Sequence, residues 1–295
     1  MNNRVSMWTF LLGIVAIACS SSVSAQGLMY KVYGGDVQDT SYVYGTFHTR
    51  DSRAFFLKKE IKQIILSVDV VAGEVNMDDA KDQAAEMAPL MILPNDTVLA
   101  NLYTPEEYER IEALLKDKLG LQAMLCSRLK PFFVMAMLSE KMLPGDEKHL
   151  LDEWIQKQGK KSGREIAGLE TAMEALSGLD SMTLREQADW LLEMVDDWDG
   201  QLAIMEDLNR WYVNQEIDSM HVYYQSAQIP GEFDREFLVR RNEYFTDRVH
   251  EIMKTKTVFC AVGALHLPGE TGLINALRER GLTVEVVETT TEVGK

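Results

Sequence analysis

The stretch "TVFCAVGALHLPGETGLINALRERGLTVEVV", residues 257–287, sets out a fold in miniature. After Thr257 an apolar run to residue 263 has the composition of a fully buried strand, and Gly263 closes it. A short loop carrying His266 follows, then a helix over 271–280 that Gly281 stops, then a second strand, "LTVEVV". The same order stands near the start of the chain. There "SYVYGTFH" (41–48) ends in Gly45-x-x-His48, a helical face follows from Ser52 to about Ile65, and "VDVVAGEV" (68–75) returns to a buried strand that carries Glu74. A further strand, "LMYKVY" (28–33), pairs ahead of it across the turn-rich "GGDVQDT".

Between the two units the chain reads as helical. Thr104-Pro105-Glu106-Glu107 is a capping box with proline at the first helical position, and the helix it opens should stop near Gly120. Thr183 and Glu186 make a second box, ahead of a helix through about Trp198. One strand-like stretch, "REIAGLET" (164–171), interrupts the helices and carries Glu170. The pattern predicts an α+β fold in which two related strand-(GxxH loop)-helix-strand units form one central sheet, with a large helical insertion between them. The expected divisions are a first unit at 26–76, a mainly helical insertion at 77–254 with its short strand near 164–170, and a second unit at 255–295, all within one domain.

Residues 1–25 read as a secretory signal peptide. Arg4 lies in a short n-region, an apolar core runs from about Trp8 to Ala18, and Val23-Ser24-Ala25 places small residues before a cleavage point at Gln26. A second reading makes Ala16-Ile17-Ala18-Cys19 a lipoprotein box with Cys19 lipidated. Either reading puts the mature protein outside the cytoplasm, in the periplasm or cell envelope of a bacterium. Nothing after residue 25 reaches the ~20 apolar residues of a membrane-spanning helix. Of the 295 residues 46% are hydrophobic, enough for a sizeable core, and the net charge of −16 repels nucleic-acid backbones and anionic membrane surfaces. Cys126 and Cys260 are the two cysteines after the leader, too few for a disulfide framework, and Cys260 sits in a buried-strand pattern as a core residue.

The chemistry centres on the two Gly-x-x-His motifs. A glycine at a strand end permits a sharp turn or a close approach, and a histidine three residues on stands at the carboxyl edge of the sheet. If the two units share one sheet, His48 and His266 face the same crevice. Two neutral imidazoles and a carboxylate can hold a divalent ion with positions left open, a hydrolytic arrangement. A lone histidine after a strand is more often a loop or core residue, so the weight rests on the duplication. The methionine-rich "NMDDAKDQAAEMAPLMILP" (76–94) reads as helix packing that adjoins the cleft.

"YVYGTFHTRD", "VVAGEVNMDD", "EIAGLET", "RRNEYFTDRV" and "VFCAVGALHLPGETGLINALRERGLTVEVV", in this order, together resemble the TraB/GumN family, which is related to the Tiki peptidases. The resemblance implies a metal-dependent hydrolase with paired histidines, acidic residues and an arginine. It points to His48, His266 and Glu74 as metal ligands, and to Glu74, Glu170, Arg241 and Asn242 as catalytic residues. Glu74 is the better candidate for general base or ligand and Glu170 its competitor. The implied cofactor is a divalent ion, manganese, cobalt or zinc, and the implied substrate a peptide or protein. Two rival readings are a non-catalytic envelope protein that binds a peptide, haem or a metal, and a factor for polysaccharide export. The leader makes its own prediction: mass measurement of the native N-terminus should show a chain that starts at Gln26, and a lipidated Cys19 at that terminus would overturn the cleavage site.

Overall fold

A computed structural model describes residues 27–227 and 231–288. The leader with its Cys19 alternative lies outside the described residues. Six strands, β1 (Met29–Tyr33), β2 (Ser41–Thr46), β3 (Val70–Val75), β4 (Glu165–Glu170), β5 (Val258–Gly263) and β6 (Thr283–Val286), form one mixed sheet in the order β4-β3-β5-β2-β1-β6. Strands β4, β3, β5 and β2 are parallel to one another, and β1 runs antiparallel to both β2 and β6. The fold is α+β, with helices supplied mostly by the middle of the chain.

In the first half these helices are α1 (Lys58–Ser67), α2 (Met77–Asp82), α3 (Ala84–Met91), α4 (Pro105–Leu119), α5 (Pro131–Ser139) and α6 (Leu151–Lys161). After β4 come α7 (Ala172–Ser177), α8 (Leu184–Asp196), α9 (Trp198–Val213), α10 (Ile217–Ser226), α11 (Gly231–Asp234) and α12 (Arg240–Met253), with α13 (Leu273–Glu279) between β5 and β6. Both capping boxes form: Thr104 accepts from the Glu107 N–H and Thr183 from the Glu186 N–H, and each glutamate returns a bond to its threonine N–H. Gly120 ends α4 with a φ of 57°, a conformation that glycine takes without strain.

The two sequence units share the sheet, but they interleave. β5 of the second unit lies between β2 and β3 of the first, and β6 closes the far edge against β1. The physical reason is handedness. The β2-α1-β3 crossover steps over one strand in one direction, while β5-α13-β6 steps over two in the other, so right-handed connections put α1 and α13 on opposite faces. Accordingly α1 packs with α6, and α13 with α12. The chain leaves β2 and β5 in opposite directions, which opens a crevice at their carboxyl ends. The "GLET" stretch of the insertion contributes a full edge strand, β4.

The sheet and its covering helices share one apolar core that includes Tyr44, Val71, Phe245, Phe259 and the free, fully buried Cys260. The insertion has a second core of its own around Leu99, Ile111, Leu115, Val134 and Leu191. Residues 85–94 of the methionine-rich stretch border a surface groove with Leu179 and Met182, away from the cleft that holds the histidines. Among the described residues, no helix is long and apolar enough to cross a membrane.

The first motif glycine is required by a close approach. A Cβ on Gly45 would stand 2.8 Å from Leu267 Cδ1 and 3.0 Å from Ala264 Cα, both in the second motif's loop. Gly45→Ala should therefore cost about 1–3 kcal/mol through overpacking, read as a lower urea midpoint. An unchanged midpoint would show that the two loops do not pack as described.

Candidate functional site

The parallel β2–β5 ladder pairs Gly45 with Val262 and Thr46 with Gly263, so the two Gly-x-x-His segments leave the sheet side by side. They then diverge in environment. His266 sits on a 3-10 turn, Ala264–His266, and is 6% exposed. His48 lies in an extended loop with its side chain 63% exposed.

Beside them the β3–β5 ladder ends at Gly73↔Ala261, and the Glu74 side chain takes over as the next acceptor. Its Oε1 receives the Gly263 N–H at 2.6 Å, and its Oε2 receives Arg241 Nη2 at 2.6 Å. Gly263 has little room for anything larger, because a Cβ there would lie 3.2 Å from Glu74 Oε1. Arg241 also binds Glu170, through Nε at 3.0 Å and through Nη2. One guanidinium thus serves two carboxylates, with its flat face 5.1 Å from the Phe245 ring centroid.

Helix α12 supplies this arrangement because residues 241, 242 and 245 share its inward face. Asn242 is buried and donates its Nδ2 to the Thr271 carbonyl at 2.8 Å. That bond turns the amide oxygen toward His266, whose Nδ1 lies 2.6 Å away. The imidazole therefore carries its proton on Nδ1, and Nε2 holds the lone pair. This lone-pair nitrogen stands 3.7 Å from Glu74 Oε1, so two acceptors face each other.

Electrostatics agree with that picture. Burial pushes His266 down to about 4; Glu74 opposes this and Arg241 adds to it, leaving a neutral imidazole at neutral pH. Burial acts to raise the Glu74 carboxyl, but His266, Arg241 and the Gly263 N–H outweigh it and hold the group at about 2. Glu170 is pushed upward by its burial, against the pull of Arg241. His48 is raised by its hydrogen bond to Asp152, which outweighs the effect of partial desolvation.

His48, Glu74, Arg241 and His266 line one cavity of about 580 Å³. Asn242 stands behind His266, and Glu170 behind Arg241. Glu170 borders a separate cleft of about 280 Å³ together with Thr171, Glu174 and Arg248. Of the two candidate glutamates, Glu74 alone reaches the histidine cavity.

Sequence reasoning missed Asp152. From the first turn of α6 its Oδ2 takes the His48 Nδ1–H at 3.2 Å, while its Oδ1 accepts from the Thr46 hydroxyl. An acidic residue in a helix's first turn is explained by the helix dipole, so nothing in "LLDEW" singles it out. Tyr212 was missed as well; its hydroxyl donates to the Gly45 carbonyl at 2.9 Å and fixes the strand end from beneath.

The donor types fit a divalent ion. Each histidine has its Nδ1 tied to an oxygen, Asp152 or Asn242, the anchoring by which ligand histidines are oriented. The facing pair, His266 Nε2 and Glu74 Oε1, has no proton to share. Among the described residues, however, no three His, Cys, Asp or Glu side chains are already gathered as a coordination cluster.

The chain is 23% identical to the zebrafish (Danio rerio) protein named Metalloprotease TIKI1, over 83% of this chain and 60% of that relative's length. No solved structure matches. The family model described as "TraB/PrgY/gumN family" matches residues 28–286, and the chain belongs to that family.

Proposed function

We propose that this protein is an exported metal-dependent hydrolase that cleaves peptide bonds, with His48, His266 and Glu74 as the groups that would hold the ion. The observation that carries the reading is the facing pair, His266 Nε2 and Glu74 Oε1 at 3.7 Å, at the switch point of the sheet. Two acceptors in a largely buried setting repel unless a proton or a cation lies between them, and burial has stripped His266 of its proton. The similarity to a protein named a metalloprotease supports the same reading.

A bound divalent ion would supply Lewis acidity toward a carbonyl and toward water, and manganese, cobalt and zinc all suit nitrogen and oxygen donors. The chain's own residues do the rest. Asn242 holds His266 in the tautomer that presents Nε2. Asp152 does the same for His48 and adds negative charge behind it. Arg241 fixes Glu74 between strand and helix and offsets charge that develops at a substrate oxygen. Glu170 keeps Arg241 in that pose; buried behind the guanidinium, it is a positioning residue rather than a base in contact with substrate.

Metal analysis of the purified mature protein, beside cleavage of a peptide library, tests this. One equivalent of metal is expected, falling at least tenfold in His266→Ala and His48→Ala, with Glu74→Gln lowering turnover by about 10²–10⁴. Stoichiometric metal with no turnover of any peptide would leave a binding protein in place of the hydrolase. Metal content indifferent to both histidines would remove the site.

Arg241 carries a stability prediction. Its removal strands Glu170, whose side chain is 2% exposed, and Arg241→Met should cost about 3–5 kcal/mol by urea unfolding. Adding Glu170→Gln should restore part of that loss. Strictly additive effects would show that the two side chains are not coupled.

A further inference from the structure

The cavity that holds the two histidines has two unlike halves. The strand ends and α12 contribute His48, Glu74, His266 and Arg241; the helical insertion contributes Ser139, Glu140 and Tyr224 together with a wall of carbon and thioether side chains. Met205 and Leu208 project from α9, Met220 from α10, and Phe233, Phe237 and Leu238 from α11 and the π-helical turn, Arg235–Val239, that joins it to α12. A π turn is a rare, functionally biased irregularity, and here it links the apolar wall directly to Arg241 on the following helix.

The aromatic part of the wall is braced from behind. Phe233 and Phe237 stack with centroids 4.0 Å apart, and Phe132 and Trp190 pack against them at 5.8 and 5.4 Å respectively. On its far side Phe237 lies against Gly178, where a Cβ would come within 2.7 Å of the ring. Such a wall keeps its shape when the cavity fills. The methionines beside it are adaptable, so a range of apolar shapes can be seated.

The chemistry excludes some occupants. Sugar hydroxyls or a charged side chain set against the Met205, Leu208, Met220, Phe233, Phe237 and Leu238 side chains would lose water without gaining partners. The cavity's arginines each stand beside carboxylates, Arg241 beside Glu74 and Glu170 and Arg50 3.6 Å from Glu140, which lowers the pull of either on a doubly charged phosphate.

The geometry points to a specificity subsite: the wall of Met205, Leu208, Met220, Phe233, Phe237 and Leu238 receives one bulky apolar side chain of an extended peptide, of leucine, methionine or phenylalanine type, next to the bond at the histidines. This rests on the hydrolase reading for the bond, but not for the binding, and the two can be separated.

Wild-type protein is assayed for turnover on fluorogenic peptides that vary one position at a time on either side of the cleaved bond. The Glu74→Gln protein is assayed for binding of the same peptides by fluorescence anisotropy. At one position, leucine or phenylalanine should exceed alanine by about 100-fold, as a hydrophobic pocket discriminates by about 10–200-fold for even a single methylene. Aspartate or lysine there should abolish both signals. Phe237→Ala should shift the preference toward larger side chains, and Met205→Lys toward acidic ones. Met205→Ala and Leu208→Ala, each expected to lower the preference at least threefold, serve if the aromatic stack does not survive Phe237→Ala. Turnover with no apolar preference overturns the subsite and leaves the hydrolase standing. Apolar-selective binding without turnover upholds the subsite and removes the hydrolase. Absence of both overturns both.

Discussion

The Glu74 carboxylate is the joint of this structure. It sits at the end of β3, where a ladder acceptor is due, and meets β5 through the Gly263 N–H and α12 through Arg241. A carboxylate withdrawn from water needs such partners, since burying a charge without them costs far more than a single hydrogen bond returns. The other local choices follow from that need. Residue 263 must leave room for the carboxylate. Arg241 must reach inward, which turns the Asn242 and Phe245 face of α12 toward the sheet, and Asn242 in turn sets the tautomer of His266.

One motif, used twice, has yielded two different histidines. His266 is enclosed, flanked by the Phe245 ring at 5.0 Å, and deprotonated by burial. His48 is open to solvent and held by an anionic partner that raises its proton affinity. The difference comes from the face on which each loop lands. The second loop is covered by α12, whereas in the first Phe47 packs on Tyr212 of α9 and His48 meets the N-terminal turn of α6, where Asp152 is the available acceptor. A repeated sequence signature therefore marks position on the sheet and leaves the environment to the elements packed above it.

What the sequence made legible was local or periodic. The buried strands, the capping boxes at Thr104 and Thr183, the helix stop at Gly120 and the strand-end histidines each announce themselves within a few residues. Interleaving of the units does not, because the β2–β5 and β1–β6 pairings join residues more than two hundred positions apart and the handedness of crossovers decides between them. Asp152 and Tyr212 were hidden for a related reason. An acid in a first helical turn and an aromatic on a helix face satisfy local rules already, and only tertiary packing gives them a second role. Glu170 shows the converse. Its motif draws attention to it, yet its charge is spent holding Arg241.

The size of the insertion follows from the same constraint. A sheet edge can place polar groups at a switch point, but its strand ends supply little apolar surface, and an open edge would leave Glu74, Arg241 and His266 in bulk water. There the attraction between a carboxylate and a guanidinium at contact falls to about 1 kcal/mol, and His266 would regain its ordinary proton affinity. Helices α5, α9, α10 and α11 line the cavity at that edge; α5 and the start of α9 rest on the insertion's own core, and Ile217 and Met220 of α10 on the core of the sheet. By excluding water they strengthen the Glu74–Arg241–Glu170 contacts and keep His266 neutral. The apolar wall is thus part of the electrostatics of the site: the groups at the strand ends hold their charge states because the insertion covers them.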